Sequence, residues 1–217
     1  MKIEIWSDVA CPWCYVGLER FERAVAETGI EVEVEYRPFE LDPNVPLDGP
    51  ELEAYLARKF GDKERVRAAH ARLTEAGEEL GIDFQWKGMR RRNTFDAHRL
   101  LNWTLHTFGP AQQHALKRRL LVAHFTEGRD VADRDVLSDL AGEVGIDRDD
   151  ARALLDSDEQ RHEVQASRDE AYTNGIQAVP TYVIEGQWML QGALETDKWV
   201  RALRTIEREL AEAEPAS

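Results

Sequence analysis

The fold is decided near the amino terminus, where residues 2–36 read KIEIWSDVACPWCYVGLERFERAVAETGIEVEVEY. Apolar residues predict a strand over residues 2–7, and the apolar period becomes helical from about 12 to 28. Gly29 ends that helix, and the strict alternation of residues 30–36 predicts a second, half-buried strand. Strand, helix and strand in this order form a βαβ unit, whose strands should be parallel with a right-handed crossover.

Beyond this unit the pattern changes twice. A turn-rich stretch leads into a long run of helical periods, and a β pattern then returns before a last helix. The predicted segments are turns at 38–50, helices from 51 to 174 with an extended piece at 82–86, a hairpin at 181–184 and 187–190, and a helix at 196–212. Asp62, Asn93 or Thr94, and Asp147 are the candidate helix N-caps.

The two β parts are too small to bury themselves separately, so we expect one α/β domain whose single sheet is interrupted by a large all-helical insertion. The predicted boundaries are 1–48 together with 157–217 for the sheet-bearing domain, and 49–156 for the inserted helices. A chain of 217 residues buries roughly 70% of its unfolded surface, so it needs no disulfide or metal to fold.

The charge of the chain argues against two classes of partner. Lys and Arg number 28 against 42 Asp and Glu, a formal net charge of −14, which repels nucleic-acid phosphates and anionic membrane surfaces. No apolar run approaches the roughly 20 residues that span a bilayer, and residues 1–8 do not resemble a signal peptide. We therefore expect a cytoplasmic protein that binds neither nucleic acid nor membrane.

The only two cysteines, Cys11 and Cys14, lie where the first strand meets the first helix. Pro12 suits the first helical position, which makes Cys11 the N-cap, and the helix dipole there favours the thiolate. Cys14 lies one turn on, on the same face. We therefore predict Cys11 as an exposed nucleophile and Cys14 as the less accessible resolving thiol.

Other readings of the cysteine pair are weaker. A zinc site needs further ligands, and the nearest histidine is His70. A structural disulfide that closes so short a loop stabilises little. Two inert core cysteines would not need a proline at a strand-to-helix junction. A redox pair is the interpretation that the βαβ context favours.

A second feature is Ala178-Val179-Pro180-Thr181, at the entrance of the third predicted strand. Proline rarely opens a central strand, and we predict a cis Val179–Pro180 bond, although an ordinary trans proline is the commoner case. Trp13, between the cysteines, should be exposed and available for apolar contact with a substrate.

Several segments together resemble the DsbA family of the thioredoxin superfamily, and specifically its FrnE-like branch. The matching segments are Cys11-Pro12-Trp13-Cys14-Tyr15-Val16-Gly17, Pro38-Phe39-Glu40-Leu41-Asp42-Pro43, Asn93-Thr94-Phe95-Asp96-Ala97-His98-Arg99-Leu100 and Gly175-Ile176-Gln177-Ala178-Val179-Pro180-Thr181. The resemblance implies a thioredoxin-like fold with a helical insertion.

It also implies thiol–disulfide exchange, in which Cys11 attacks and Cys14 resolves. Pro180 would be cis beside the disulfide, and the backbone of Val179 would pair with a bound peptide. The implied partners are protein or peptide disulfides and thiols, with an external thiol reductant or oxidant. No cofactor is expected to be tightly bound, and glutathione is a candidate co-substrate. A further cysteine pair found in some relatives is absent here, and Gly192-Ala193-Leu194 departs from the Gly-Ala-Gln common in the branch.

Two other functions stay open. The 2-hydroxychromene-2-carboxylate isomerases and kappa-class glutathione transferases share the fold, but they typically have serine at the position of Cys11. A chaperone or scaffold with vestigial thiols is the non-enzymatic alternative. Asn93 is a weak candidate for substrate binding and is more simply a helix cap. His98 is expected to be a partly buried helix residue with a satisfied hydrogen bond, and Glu40 and Asp42 to be loop carboxylates.

Overall fold

A four-stranded mixed sheet forms the centre of the protein in the computed structural model, which describes residues 1–213. Its strands are β1 (Lys2–Ser7), β2 (Glu33–Pro38), β3 (Thr181–Ile184) and β4 (Trp188–Gln191), in the spatial order β2-β1-β3-β4. β1 pairs in parallel with β2, whereas the β1–β3 and β3–β4 pairs are antiparallel. Both β parts of the chain therefore join one sheet, as predicted, although β2 begins later than the alternation suggested.

Nine helices are described around this sheet, most of them between β2 and β3. They are α1 (Pro12–Thr28), α2 (Leu52–Phe60), α3 (Lys63–Leu80), α4 (Phe95–Phe108), α5 (Pro110–Phe125), α6 (Arg134–Glu143), α7 (Arg148–Asp156), α8 (Arg161–Thr173) and α9 (Thr196–Ala213). No helix within residues 1–213 has the length and apolar character that crossing a membrane requires. The thioredoxin-like α/β fold with its helical insertion is confirmed, and the exact boundaries 1–48, 49–156 and 157–217 stay predictions.

Local rules account for α1. Cys11 is its extended N-cap, Pro12 occupies the first turn, and Gly29 ends it with φ of 70°, a conformation that only glycine adopts at little cost. The buried face of α1 packs against the sheet and against α9, where Phe21, Tyr182 and Trp199 meet at ring-centroid distances of 4.5–5.6 Å. This aromatic contact fixes the helix that carries the cysteines to the sheet.

The inserted helices are tied to the sheet edge by Gln113. Its Oε1 accepts from the backbone N–H of Tyr36 at 2.8 Å, and its Nε2 donates to the carbonyl of Tyr36 at 2.9 Å. The buried side chain on α5 thus satisfies backbone groups of β2 that an edge strand leaves unpaired. A separate apolar core, mostly from α4 to α7, lies behind this contact.

Of two predictions for the helical region, the helix caps are confirmed and the extended piece is wrong. Asp62 and Asp147 cap α3 and α7 through side-chain hydrogen bonds, as predicted. The extended piece predicted at 82–86 forms no strand. It packs against α3 instead, where the Trp86 Nε1–H donates to the Thr74 hydroxyl at 2.9 Å, and the Gln85 backbone N–H donates to the Phe125 carbonyl at the end of α5 at 2.8 Å.

Candidate active site

Cys11 and Cys14 are both free thiols at the junction of β1 and α1. Hydrogen bonds of the tight turn hold them there, from the Cys11 N–H to the Asp8 carbonyl at 3.3 Å and from the Cys14 N–H to the Cys11 carbonyl at 3.0 Å. The exposed fraction is only 5% for Cys11 and 3% for Cys14. The predicted N-cap is confirmed, but the expectation that Cys11 is exposed is wrong.

The loop before β3 explains why Cys11 is covered. The Sγ of Cys11 lies 3.8 Å from the carbonyl oxygen of Val179 in this loop. The Val179–Pro180 peptide bond is cis, as predicted. The loop is also held by the residue that follows β4, because the Gly192 N–H donates to the Pro180 carbonyl at 2.8 Å. A segment 168 residues away in sequence thus brings a carbonyl group to the sulfur.

The pKa values of the two thiols are shifted in opposite directions. A hydrogen bond from Cys14 lowers the pKa of Cys11 below its ordinary value despite burial, and backbone N–H groups at the start of α1 act in the same direction. Burial raises the pKa of Cys14 well above its ordinary value, and its hydrogen bond to Cys11 adds to the rise. The arrangement favours a thiolate at Cys11 and a proton on Cys14.

A buried carboxylate, Asp8, lies under the cysteine turn and was not singled out from the sequence. Its oxygens accept from the backbone N–H groups of Ala10 at 3.2 Å and Leu41 at 2.8 Å. The His98 Nε2 lies 3.5 Å and an Arg91 nitrogen 4.0 Å from the carboxylate. Burial opposes ionisation, but these groups outweigh it and hold the pKa of Asp8 well below its usual range. Among residues 1–213 the Nε2 of His98 makes no hydrogen bond of normal geometry. The expectation that the His98 side chain has a satisfied hydrogen bond is therefore wrong.

A buried lysine is the second residue that the sequence did not reveal. Lys117, on α5, is 1% exposed, and its Nζ has no hydrogen-bond partner within the described chain. The ammonium group lies 5.7 Å from the centre of the Tyr36 ring, a weakly favourable cation–π distance. Burial lowers the pKa of Lys117, whereas the negative charges of Cys14, Asp8 and Cys11 oppose that shift.

Other residues considered from the sequence are placed as follows. Trp13 is 39% exposed beside the cysteines, as predicted. Asn93 accepts from the Phe95 N–H at 3.0 Å and donates to the Val45 carbonyl at 2.8 Å, so its amide serves the start of α4. Glu40 is buried, which raises its pKa, and Asp42 accepts a hydrogen bond from the Tyr55 hydroxyl. No cluster of three or more potential metal ligands occurs within residues 1–213.

A cleft of about 550 Å³ opens beside Cys11, and we call it the Cys11 cleft. It is bounded by α2, α3 and the turn that carries the cysteines, and its lining is mostly apolar. The lining residues are Ala10, Cys11, Pro12, Trp13, Leu41, Leu52, Tyr55, Leu56, Lys59, Arg65, Val66, Ala69, His70, Leu73, Trp86, Met89, Arg90, Arg91, His124, Phe125 and Val179. The volume is typical of sites that bind small molecules, and Asn93 is not among the lining residues.

Comparison with known proteins places the chain in a family. The family model of the DSBA-like thioredoxin domain matches residues 2–204. The structure of a probable DsbA oxidoreductase, SCO1869 from Streptomyces coelicolor, is 32% identical with a TM-score of 0.89, covering 100% of this chain and 93% of the other. The uncharacterized protein YwbO of Bacillus subtilis is 29% identical over 211 residues, which make up 94% of this chain and 96% of that protein.

One further structure shares the fold alone. A 2-hydroxychromene-2-carboxylate isomerase has a TM-score of 0.75 at 16% identity, covering 99% of this chain and 100% of the other. The family match spans nearly the whole chain and includes both cysteines and the loop of Pro180. This protein belongs to the family of DSBA-like thioredoxin domains.

Proposed function

We propose that the protein is a thiol–disulfide oxidoreductase that acts through Cys11 and Cys14. The observation that carries the proposal is the division of acidity within one turn of α1, where the pKa of Cys11 is lowered and that of Cys14 is raised. A redox-active dithiol pair needs one sulfur that is a thiolate at neutral pH and attacks first, and a second sulfur that stays protonated until the mixed disulfide has formed. Membership of the DSBA-like family supports the same activity.

The first step is attack by the Cys11 thiolate on one sulfur of a substrate disulfide. A bond forms between Cys11 and that sulfur, and the other sulfur leaves with the electron pair as a thiolate. Cys14 then loses its proton and attacks the Cys11 sulfur, which forms the Cys11–Cys14 disulfide and releases the second substrate thiolate. The substrate gains two electrons and the protein loses two.

The second step requires Cys14 to become a thiolate in a buried site where its pKa is raised. The positive charge of Lys117 lowers the pKa of Cys14 against the effect of burial. An unpartnered ammonium beside a thiol stabilises the thiolate as it forms. We assign Lys117 as a positioning residue that promotes this deprotonation.

Substrates meet the protein at the loop of Val179 and at Trp13. The Val179 backbone, next to the Cys11 sulfur, supports pairing with an extended segment of a peptide substrate. An external thiol or oxidant must complete each cycle, because the chain has no cysteine besides this pair. Glutathione is a candidate for this partner, and a cytoplasmic location remains part of the proposal.

The test is turnover of a disulfide substrate with a thiol reductant present. We expect wild-type protein to accelerate reduction of insulin disulfides, or refolding of a scrambled disulfide protein. Cys11→Ser should abolish the acceleration. Cys14→Ser should arrest the protein as a mixed disulfide. If none of the proteins accelerates either reaction, the proposal fails.

A glutathione-binding measurement on wild type and Cys14→Ser, made beside these assays, separates the principal rival. A glutathione-dependent isomerase or transferase is favoured by the cleft beside Cys11 and by the shared fold of the hydroxychromene-carboxylate isomerase. That function predicts tight glutathione binding that does not require Cys14. Binding of this kind without disulfide exchange would replace our proposal.

A further inference from the structure

One side of the Cys11 cleft is aromatic. The ring of His70 stacks on Trp86 with centroids 4.3 Å apart and planes 4° from parallel, and Trp86 stacks in turn on Phe84 at 4.8 Å. Phe125 closes the same side, and the exposed ring of Trp13 lies near the mouth. Burial lowers the pKa of His70, which keeps its ring uncharged at neutral pH. Such a wall suits a planar apolar group.

The charged groups that line the cleft are all cations. Lys59, Arg65, Arg90 and Arg91 border it, and its described lining contains neither Asp nor Glu. Lys59 donates to the Tyr55 hydroxyl at 3.4 Å and Arg90 to the Asp48 carbonyl at 2.8 Å, but neither forms an ion pair with another described residue. In a chain of net charge −14, a cleft whose charged lining is all cationic attracts anions.

Arg91 is a buried cation among the residues that line the cleft. Its side chain is 7% exposed, it lines the cleft, and its Nε has no hydrogen-bond partner among residues 1–213. Another of its nitrogens donates to the Ala10 carbonyl at 3.3 Å. An Arg91 nitrogen lies 4.0 Å from the Asp8 carboxylate, so Asp8 balances part of the positive charge that Arg91 brings to the cleft.

We propose that the Cys11 cleft binds low-molecular-weight disulfides that combine a flat apolar group with a carboxylate. The apolar group lies against the aromatic wall, the carboxylate faces Lys59 and Arg90, and a sulfur meets Cys11. This inference rests on the proposed function and specifies its substrate class. The reaction is the same two-step exchange: the substrate disulfide accepts two electrons, its two halves leave as thiolates, and the Cys11–Cys14 bond forms.

The test uses two aromatic disulfides that differ in charge. One is the disulfide of thionitrobenzoate, which carries a carboxylate on each ring, and the other is uncharged dipyridyl disulfide. Reduced protein is mixed with an excess of each disulfide, and release of the coloured thiol is followed at low ionic strength. Lys59→Gln/Arg90→Gln is compared with Arg58→Gln/Arg204→Gln, which removes the same charge at exposed positions outside the cleft lining.

We expect Lys59→Gln/Arg90→Gln to slow the reaction with the dicarboxylate about fivefold and the reaction with the dipyridyl compound less than twofold. This range follows from about 0.2–1 kcal/mol for each exposed charge pair. Added salt should shrink the difference. The Arg58→Gln/Arg204→Gln control should change either rate less than twofold, and thermal unfolding checks that both variants are folded.

Equal effects of Lys59→Gln/Arg90→Gln on the two probes would overturn the substrate class while leaving disulfide exchange intact. No reaction of wild-type Cys11 with either probe would overturn the proposed function itself. A third variant, Ala69→Trp, fills the cleft from α3. It should slow both aromatic probes more than insulin, and the reverse order would show that the cleft serves peptides instead.

Discussion

Replacing Lys117 by methionine tests how the buried ammonium acts on the resolving thiol. Methionine has a similar length and no charge, so Lys117→Met removes the group that lowers the pKa of Cys14 and keeps most of the packing. The pKa of Cys14 should rise. We therefore expect its attack on the Cys11 mixed disulfide to slow and to require higher pH.

The size of the effect follows from two opposing consequences. At a pH below the pKa of Cys14, each tenfold loss of thiolate slows the attack tenfold. The more basic thiolate is a better nucleophile, with a Brønsted slope of about 0.4–0.5, which returns about threefold. Resolution should therefore slow about threefold for each tenfold loss of thiolate. Attack by Cys11 should change less, because Lys117 is not among the principal causes of its pKa shift.

The assay follows a single turnover. Reduced protein reacts with a fluorescent disulfide in excess, and the two thiol releases are resolved in time at several pH values. Lys198→Met, which removes an exposed lysine on α9, is the control. Identical rates and pH profiles of the second release in wild type and Lys117→Met would refute the role of Lys117.

Stability provides a second measurement of the same variant. Burial lowers the pKa of Lys117 from 10.5, so the unfolded chain binds this proton more tightly and stability rises with pH up to about that value. At neutral pH, Lys117→Met should raise the free energy of unfolding of the oxidised protein by about 1–2 kcal/mol. This advantage should shrink as the pH approaches 10.5, as measured by urea denaturation.

Three further predictions concern the cysteine turn. Gly17→Ala places a Cβ 2.9 Å from the Tyr182 hydroxyl and 3.0 Å from the Pro180 ring and should destabilise by about 1 kcal/mol in urea denaturation, whereas Gly142→Ala, with nothing nearer than 3.9 Å, should not. Thiolate absorbance should titrate at Cys11 below the ordinary cysteine pKa, and an unchanged curve in Cys11→Ser would contradict this. Asp8 has a depressed pKa, so its contribution is lost as pH falls below about 4; Asp8→Asn should lack that part of the acid dependence.

The parts of the fold that the sequence predicted depend on local rules. A capping position followed by Pro12 begins α1, and Gly29 ends it with a positive φ, each signal lying within a few residues of the structure it controls. The alternating strand and the cysteine spacing are equally local. The cis bond before Pro180 required more, because its prediction combined a strand entrance with a distant redox motif.

The parts that sequence reasoning missed are contacts between distant segments. Cys11 is covered by the carbonyl of Val179, and no pattern near residue 11 encodes that approach. Lys117 opens the Lys-Arg-Arg run of residues 117–119 on α5, and only the packing of α5 against β2 buries it and brings its charge near Cys14. Asp8 precedes the cysteines by three residues, yet its buried partners, His98 and Arg91, come from a segment about ninety residues away.

The most direct test of the account is to trap the mixed disulfide and locate it. Cys14→Ser and Cys11→Ser are each incubated with an excess of a peptide disulfide, and the modified residue is identified by peptide mass. We predict rapid, stoichiometric modification of Cys11 in Cys14→Ser, and slow or no modification of Cys14 in Cys11→Ser. Faster modification of Cys14 than of Cys11 would contradict the assignment of Cys11 as the attacking thiol.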